Sequence, residues 1–167
     1  LAMKHPKIYD CVVAAFGIYD LPLLFNSSNF RSGKEHHDFI AKVVGELDDS
    51  HKTLSPVYSA HKLKAPLLLI AGKEDDISGI EQSNRFKYVL NKLDHDVETL
   101  FYGGTGHGHT SWWGERHQVA AIVDFLNRKL SLNSDKKSEF IEDKVAISKD
   151  FEILADALNF EGKVENN

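Results

Sequence analysis

Residues 66–71 restrict the fold most, because Pro-Leu-Leu-Leu-Ile-Ala is an unbroken apolar run that stops at Gly72. The run is too short for a core helix, and far short of the ~18 residues that span a membrane, so it predicts a strand. A strand without polar alternation is buried on both faces, as in parallel sheets. Residues 11–16 repeat this pattern, and residues 97–102 predict a further strand.

Apolar residues at helical spacing follow each of these predicted strands. They predict a helix over residues 34–47, a second one after Ser78 and a third over residues 113–130. Ser78 and Glu81 have the Ser-x-x-Glu spacing of a capping box, in which each side chain satisfies a free amide of the other residue. Alternating strands and helices predict an α/β fold with a mostly parallel sheet.

Charge and cysteine content exclude several classes of protein. The net charge is −5, with most of the acidic excess after Ser131, so no basic face is available for nucleic acid. The single cysteine, Cys11, excludes an internal disulfide and a thiolate metal cluster and favours a cytoplasmic location. The chain contains no transmembrane segment, and because it opens at Leu1, any signal peptide is expected upstream of it.

Ionisable side chains follow two of the predicted strands. Asp75 and Asp76 come after the strand that ends at Gly72, and His107 and His109 come after the strand at 97–102. Because the carboxyl ends of parallel strands share one edge of a sheet, an acid and an imidazole should meet there. A carboxylate that orients a histidine base is two thirds of a Ser-His-Asp system.

A metal site is the alternative interpretation of the histidines. His107, His109 and His117 are close enough in sequence to bind zinc through a loop and the following helix. No nearby carboxylate motif completes such a set, so we expect no metal at these residues. Asp76 is expected to hold its own loop rather than to take part in chemistry.

Several segments together resemble the prolyl oligopeptidase family of α/β-hydrolases. The matching features are a Ser-Pro pair, a Lys-x-Pro-Leu-Leu-Leu-Ile strand, a Gly-x-x-Asp-Asp loop, a Gln-Ser pair that opens a helix, and a Tyr-x-x-x-Gly-His-Gly loop. Here they are Ser55–Pro56, residues 64–70, residues 72–76, Gln82–Ser83 and residues 102–108. The resemblance extends over residues 1–130, which we treat as one domain.

The resemblance implies a three-layer α/β sandwich and a serine-type peptidase that forms an acyl-enzyme. It places the catalytic aspartate on Asp75 and the catalytic histidine on His107, with a peptide as substrate and no cofactor. The family's nucleophile lies in Gly-x-Ser-x-Gly upstream of the part that Leu1 resembles, and no serine here has that pattern. We therefore expect that the first strands and the nucleophile elbow belong to a missing N-terminal part of the same polypeptide, and that this chain alone is inactive.

Two other functions fit the same residues: an esterase on the same triad, or a catalytically inactive hydrolase-fold scaffold. The chain also departs from the family pattern. Ala71 replaces a usual histidine, Ser78–Gly79 replace a usual Val-Pro, and His109 replaces a common aromatic residue. These departures concern the substrate side of the site more than the triad.

Residues 131–167 lie beyond the resemblance and form an acidic C-terminal extension. A polar linker at 131–138 precedes apolar residues at helical spacing between Ile147 and Leu158. This pattern fits both a frayed terminus and a short amphipathic helix that packs on the domain or on a partner.

Overall fold

The computed structural model describes residues 1–27, 34–130 and 165–166. Its strands and α-helices are, in chain order, β1 Val12–Ala15, α1 Leu21–Ser27, α2 Lys34–Val44, α3 Ser50–Leu54, β2 Leu67–Gly72, α4 Gly79–Lys92, β3 Val97–Tyr102, α5 Trp112–Lys129 and β4 Glu165–Asn166. A 3₁₀ helix, Pro56–Lys62, precedes β2.

The strands form one sheet in the order β1-β2-β3-β4. β2 runs parallel to β1 on one side and to β3 on the other, which confirms the predicted parallel sheet. In this register Gly72 lies opposite Tyr102, so β2 and β3 end side by side. The short β4 pairs antiparallel with Glu98 and Thr99 of β3.

Helices cover both faces of β2, so the fold has the predicted three layers. Leu67 and Leu69 pack on one face in a core shared with Phe86 and Leu90 of α4. The alternate residues of β2 point to the other face, where they pack with Phe125 of α5. Residues 67–70 are at most 1% exposed, as expected for a strand buried on both faces.

β1 is less buried than its sequence predicts. Its first three residues are half-buried and Ala15 is exposed. The reason is its position, because within the described part of the chain β1 has β2 as its only neighbour and forms an edge of the sheet. An apolar strand at a sheet edge leaves both unpaired backbone groups and apolar side chains accessible.

Local signals explain where the helices end and begin. α2 stops at Val44 rather than at the predicted residue 47, because Gly45 adopts a φ of +90° that an L side chain rarely takes. α5 begins after Ser111, whose hydroxyl accepts a hydrogen bond from the amide of Gly114. The capping box predicted at Ser78 is wrong, because the Ser78 side chain makes no cap hydrogen bond to α4.

Much of the C-terminal extension lies outside the described residues, including the linker predicted at 131–138 and the helix predicted between Ile147 and Leu158. The division into residues 1–130 and 131–167 therefore stays a prediction. Among the helices that the structure describes, none is long and apolar enough to cross a membrane.

An ion pair between the half-exposed Arg128 and the buried Glu98 joins α5 to β3. The Glu98 carboxylate accepts hydrogen bonds at 2.7 and 2.6 Å from the two terminal nitrogens of Arg128, and it is 6% exposed. The hydrogen bonds from Arg128 lower the pKa of Glu98 although burial opposes this. The pair thus fixes the helix that follows the histidine loop against the sheet.

Glu98→Gln is expected to lower the free energy of unfolding by about 1–3 kcal/mol at neutral pH, because Arg128 loses its buried partner. Because the pKa of Glu98 is lower in the folded than in the unfolded protein, the ionised carboxylate stabilises the fold. This contribution is fully present above the unfolded pKa of about 4.5 and is lost as pH falls through the folded pKa. The free energies of unfolding of the wild type and of Glu98→Gln, measured with urea, should therefore differ less at about pH 3.5 than at about pH 7.

Glu81→Gln is the matched control, because Glu81 bonds Arg85 on the exposed surface of α4. It should cost about 0.5 kcal/mol or less. Equal losses from the two variants would contradict the structural importance of the Glu98 pair.

Candidate active site

The loops after β2 and β3 lie against each other at the carboxyl edge of the sheet. The amide of Lys73 donates to the carbonyl of Tyr102 at 2.8 Å, and the amide of Glu74 donates to the carbonyl of Thr105 at 3.1 Å. Gly72 is required at this approach, because a Cβ there would overlap the carbonyl oxygens of Thr105 and Gly106. The two loops are therefore tied together by their backbones.

His107 lies at the tip of a tight turn in the second loop. The amide of Gly108 donates to the carbonyl of Gly106 at 2.9 Å, which leaves only His107 between them. Gly108 has a φ of +114°, a conformation that glycine adopts without strain. As the flanking glycines predict, the backbone turns sharply and presents the ring.

Asp75 and His107 are brought together by these two loops. The Nδ1 of His107 lies 2.9 Å from Oδ2 of Asp75, although 32 residues separate them. The Asp75 side chain is 2% exposed, whereas that of His107 is 37% exposed. In the described part of the chain, Nε2 of His107 has no hydrogen-bond partner, so no described serine lies within bonding distance of it.

The Asp75 carboxylate is held by its own loop as well as by the imidazole. Burial raises its pKa, but hydrogen bonds from the Ser78 hydroxyl and amide, from His107 and from the amide of Ile77 together lower it below the usual value. The amides of Ile77 and Ser78 lie 2.8 and 2.9 Å from Oδ1. An ionised Asp75 can fix the His107 tautomer and stabilise the imidazolium.

Asp76 differs from its expected role. We expected it to hold its own loop, but the loop amides donate to Asp75, and Asp76 is exposed to solvent. Adjacent carboxylates face different directions here, and only one can reach both the amides and the ring.

Two further residues contact the pair without a clear signal in the sequence. Ser78 donates its hydroxyl to Oδ2 of Asp75 at 2.6 Å. Phe16, at the end of β1, has a φ of +51°, and its ring packs edge-on against His107 with centroids 6.0 Å apart. A bulky residue at positive φ is often found at functional sites, and only the folded backbone reveals it.

The other histidines of the region bond to different groups. Nε2 of His109 lies 3.0 Å from Oε1 of Gln118, and Nδ1 of His117 lies 2.9 Å from the hydroxyl of Tyr102. His109 packs edge-on against Tyr102, and burial lowers the pKa of His109. Among the described residues, no group of three or more histidines, cysteines or acids is placed to hold a metal ion.

Comparison with known families decides how the chain is classified. The family model described as the prolyl oligopeptidase family matches residues 1–133. The chain belongs to the prolyl oligopeptidase family. It is therefore a member of a peptidase family, with the α/β-hydrolase fold that the three-layer sheet already indicates.

Individual peptidases are similar to the chain in sequence or in structure. The chain is 26% identical over 141 residues to a probable chloroplastic glutamyl endopeptidase of Oryza sativa subsp. japonica. The Pyrococcus horikoshii acylaminoacyl peptidase superposes on 84% of the chain with a TM-score of 0.69 and 23% identity. A puromycin-hydrolyzing peptidase of Mycobacterium tuberculosis superposes on 77% with a TM-score of 0.68 and 21% identity. The two structural matches show that the fold is shared.

The chain corresponds to only part of each relative. The match to the glutamyl endopeptidase includes 83% of this chain but only 14% of that protein. It spans 24% of the acylaminoacyl peptidase chain and 20% of the puromycin-hydrolyzing one. These matches therefore concern one part of each relative's chain.

Proposed function

We propose that this chain supplies the acid and base of a serine-type peptidase, with Asp75 and His107 as two members of the triad. The observation that carries the proposal is the 2.9 Å contact between the buried Asp75 and the partly exposed His107 at the carboxyl edge of the sheet. Catalysis at this edge is the rule for open parallel sheets. A surface histidine without function has no reason to meet a buried carboxylate there.

The arrangement suits both proton transfers of an acyl-enzyme mechanism. With Nδ1–H donated to Asp75, the free Nε2 accepts the proton of a serine hydroxyl as its oxygen attacks the peptide carbonyl. The protonated ring then gives this proton to the leaving amine as the C–N bond breaks. Water attacks the resulting ester and loses a proton to Nε2, which returns that proton to the serine oxygen as the ester C–O bond breaks and the acid is released.

The nucleophile is proposed to come from residues of the same polypeptide that precede Leu1. β1 supports this, because it is an apolar strand whose outer edge has no partner among the described residues. Its carboxyl end reaches Phe16, against the His107 ring. A strand and turn placed beside β1 would bring a serine to the exposed side of that ring, with a peptide substrate in the cleft between them.

A peptide is favoured as substrate over a simple ester by the relatives. The glutamyl endopeptidase, the acylaminoacyl peptidase and the puromycin-hydrolyzing peptidase are all named as peptidases. An esterase would use the same two residues and would cleave esters but not amides. A catalytically inactive scaffold would lack a serine nucleophile in the upstream sequence, whatever the geometry of Asp75 and His107.

The 167-residue chain is expected neither to react with a fluorophosphonate probe nor to hydrolyse a chromogenic peptide, because no described serine reaches Nε2 of His107. The polypeptide that continues upstream should do both, with the probe attached to a serine before Leu1. Mass spectrometry of the labelled protein locates that serine. Turnover by the 167-residue chain that His107→Ala abolishes would contradict an upstream nucleophile, and a longer polypeptide that cleaves only esters would favour the esterase.

A further inference from the structure

Ser78 does not do what its position in the sequence suggests. It precedes α4, where a serine ordinarily caps the first free amides of a helix. Its backbone has φ −101° and ψ −3° rather than an extended conformation, and its hydroxyl makes no cap hydrogen bond. Gly79 follows at a φ of +51°. This turn directs the hydroxyl away from α4 and back towards Asp75.

The Ser78 hydroxyl shares one oxygen of Asp75 with the imidazole. Oγ lies 2.6 Å from Oδ2, and Nδ1 of His107 lies 2.9 Å from the same oxygen. Ser78 is only 5% exposed, so water does not compete freely for this contact. With the two amides on Oδ1, four donors saturate a carboxylate that has about four acceptor sites.

The arrangement also bears on which nitrogen of His107 carries the proton. Oγ of Ser78 lies 3.4 Å from Nδ1, and its only hydrogen is directed to Asp75. A bare Nδ1 would therefore face lone pairs of both oxygens. Protonated Nδ1 and free Nε2 are the arrangement that a base needs.

We propose that Ser78 is a positioning residue for the Asp75–His107 pair. Its hydroxyl holds Oδ2 of Asp75 in place and competes with the imidazole for the negative charge of that oxygen. This rests on the proposed function for its purpose, but the contact itself can be tested without turnover. Other ionisable groups near the histidine loop are Glu74, whose carboxylate accepts the Thr105 amide at 2.9 Å, and His109 across the Phe16 ring. Glu74 and His109 each bond to another residue and not to Oδ2 of Asp75.

Nitrogen-15 NMR titration of the His107 ring in the 167-residue chain tests the proposal, because it reports both the pKa and the tautomer. Ser78→Ala removes the donor, so Oδ2 keeps more of its charge for the imidazolium, and the pKa of His107 should rise by about 0.5–1 unit. The neutral ring should keep its proton on Nδ1, because Oδ2 lies nearer to Nδ1 than the lost Oγ did and becomes the stronger acceptor. Ser78→Thr retains the hydroxyl and should give the wild-type titration.

Two further variants separate this effect from damage to the loop. Ser78→Cys fills the same space with a weak donor and should behave like Ser78→Ala, so it decides the matter if the alanine variant does not fold. Glu74→Gln removes a nearby exposed charge and should leave the pKa of His107 unchanged or lower. An unchanged His107 titration in the alanine and cysteine variants, or a threonine variant that matches them, would overturn the proposal.

The outcome is independent of peptidase activity. A shifted titration in a protein whose complete polypeptide hydrolyses nothing would leave the role of Ser78 intact and refute the proposed function. An unshifted titration in an active peptidase would do the opposite.

Discussion

His107→Ala is expected to lower kcat of the complete polypeptide by about ten-thousand-fold or more, because the proposed serine loses the base that accepts its proton. Asp75→Asn should cause a loss of similar order. A neutral amide cannot stabilise the positive charge of the imidazolium, and its NH2 group favours the wrong tautomer of the ring. Folding should be unaffected in His107→Ala, because the ring is partly exposed at a loop tip. Initial rates on a chromogenic peptide measure both effects.

The chain offers a matched control for each substitution. Asp76 is adjacent to Asp75 but faces solvent, and His61 is an exposed histidine of the 3₁₀ helix. Asp76→Asn and His61→Ala should change kcat by no more than a few-fold. A loss from Asp76→Asn equal to that from Asp75→Asn would show that the aspartate has been assigned wrongly.

Leu68→Asp and Leu69→Asp are each expected to abolish cooperative folding. The two side chains point to opposite faces of β2, where each is at most 1% exposed and packs in a separate apolar cluster. An aspartate at either position has no partner for its charge, which costs several kcal/mol, a large share of the roughly 5–15 kcal/mol that stabilises a domain. Circular dichroism melts of the purified proteins measure the loss.

Leu54→Asp provides the comparison, because Leu54 ends α3 with 62% of its surface exposed. It should shift the free energy of unfolding by about 0.5 kcal/mol or less. Soluble protein with a cooperative melt from both β2 variants would mean that this strand is not the centre of the sheet.

The central sheet was predictable from the sequence because its signal is local. The apolar run at 66–71 is too short for a helix, and a strand of that composition needs cover on both faces, which α4 and α5 provide. The expectation that Asp75 lies beside His107 followed from one further rule, that parallel strands end at a common edge. The catalytic roles of the two residues stay a prediction.

The parts that sequence reasoning missed depend on contacts between distant segments. Ser78 has the spacing of a helix cap, and only the position of Asp75 in the folded loop makes the carboxylate its partner. The half-buried β1 is an unbroken apolar run like β2, and only the strand order places it at an edge of the sheet. No local pattern predicts the positive φ of Phe16.

The most direct test of the central claim is kcat for the double variant Asp75→Asn/His107→Ala in the complete polypeptide. If the carboxylate acts through the imidazole, removing it matters only while the imidazole is present, so the double variant should be as active as His107→Ala alone within a few-fold. Losses that multiply, so that the double variant falls far below either single variant, would show that the two residues act independently and would contradict the proposed acid–base pair.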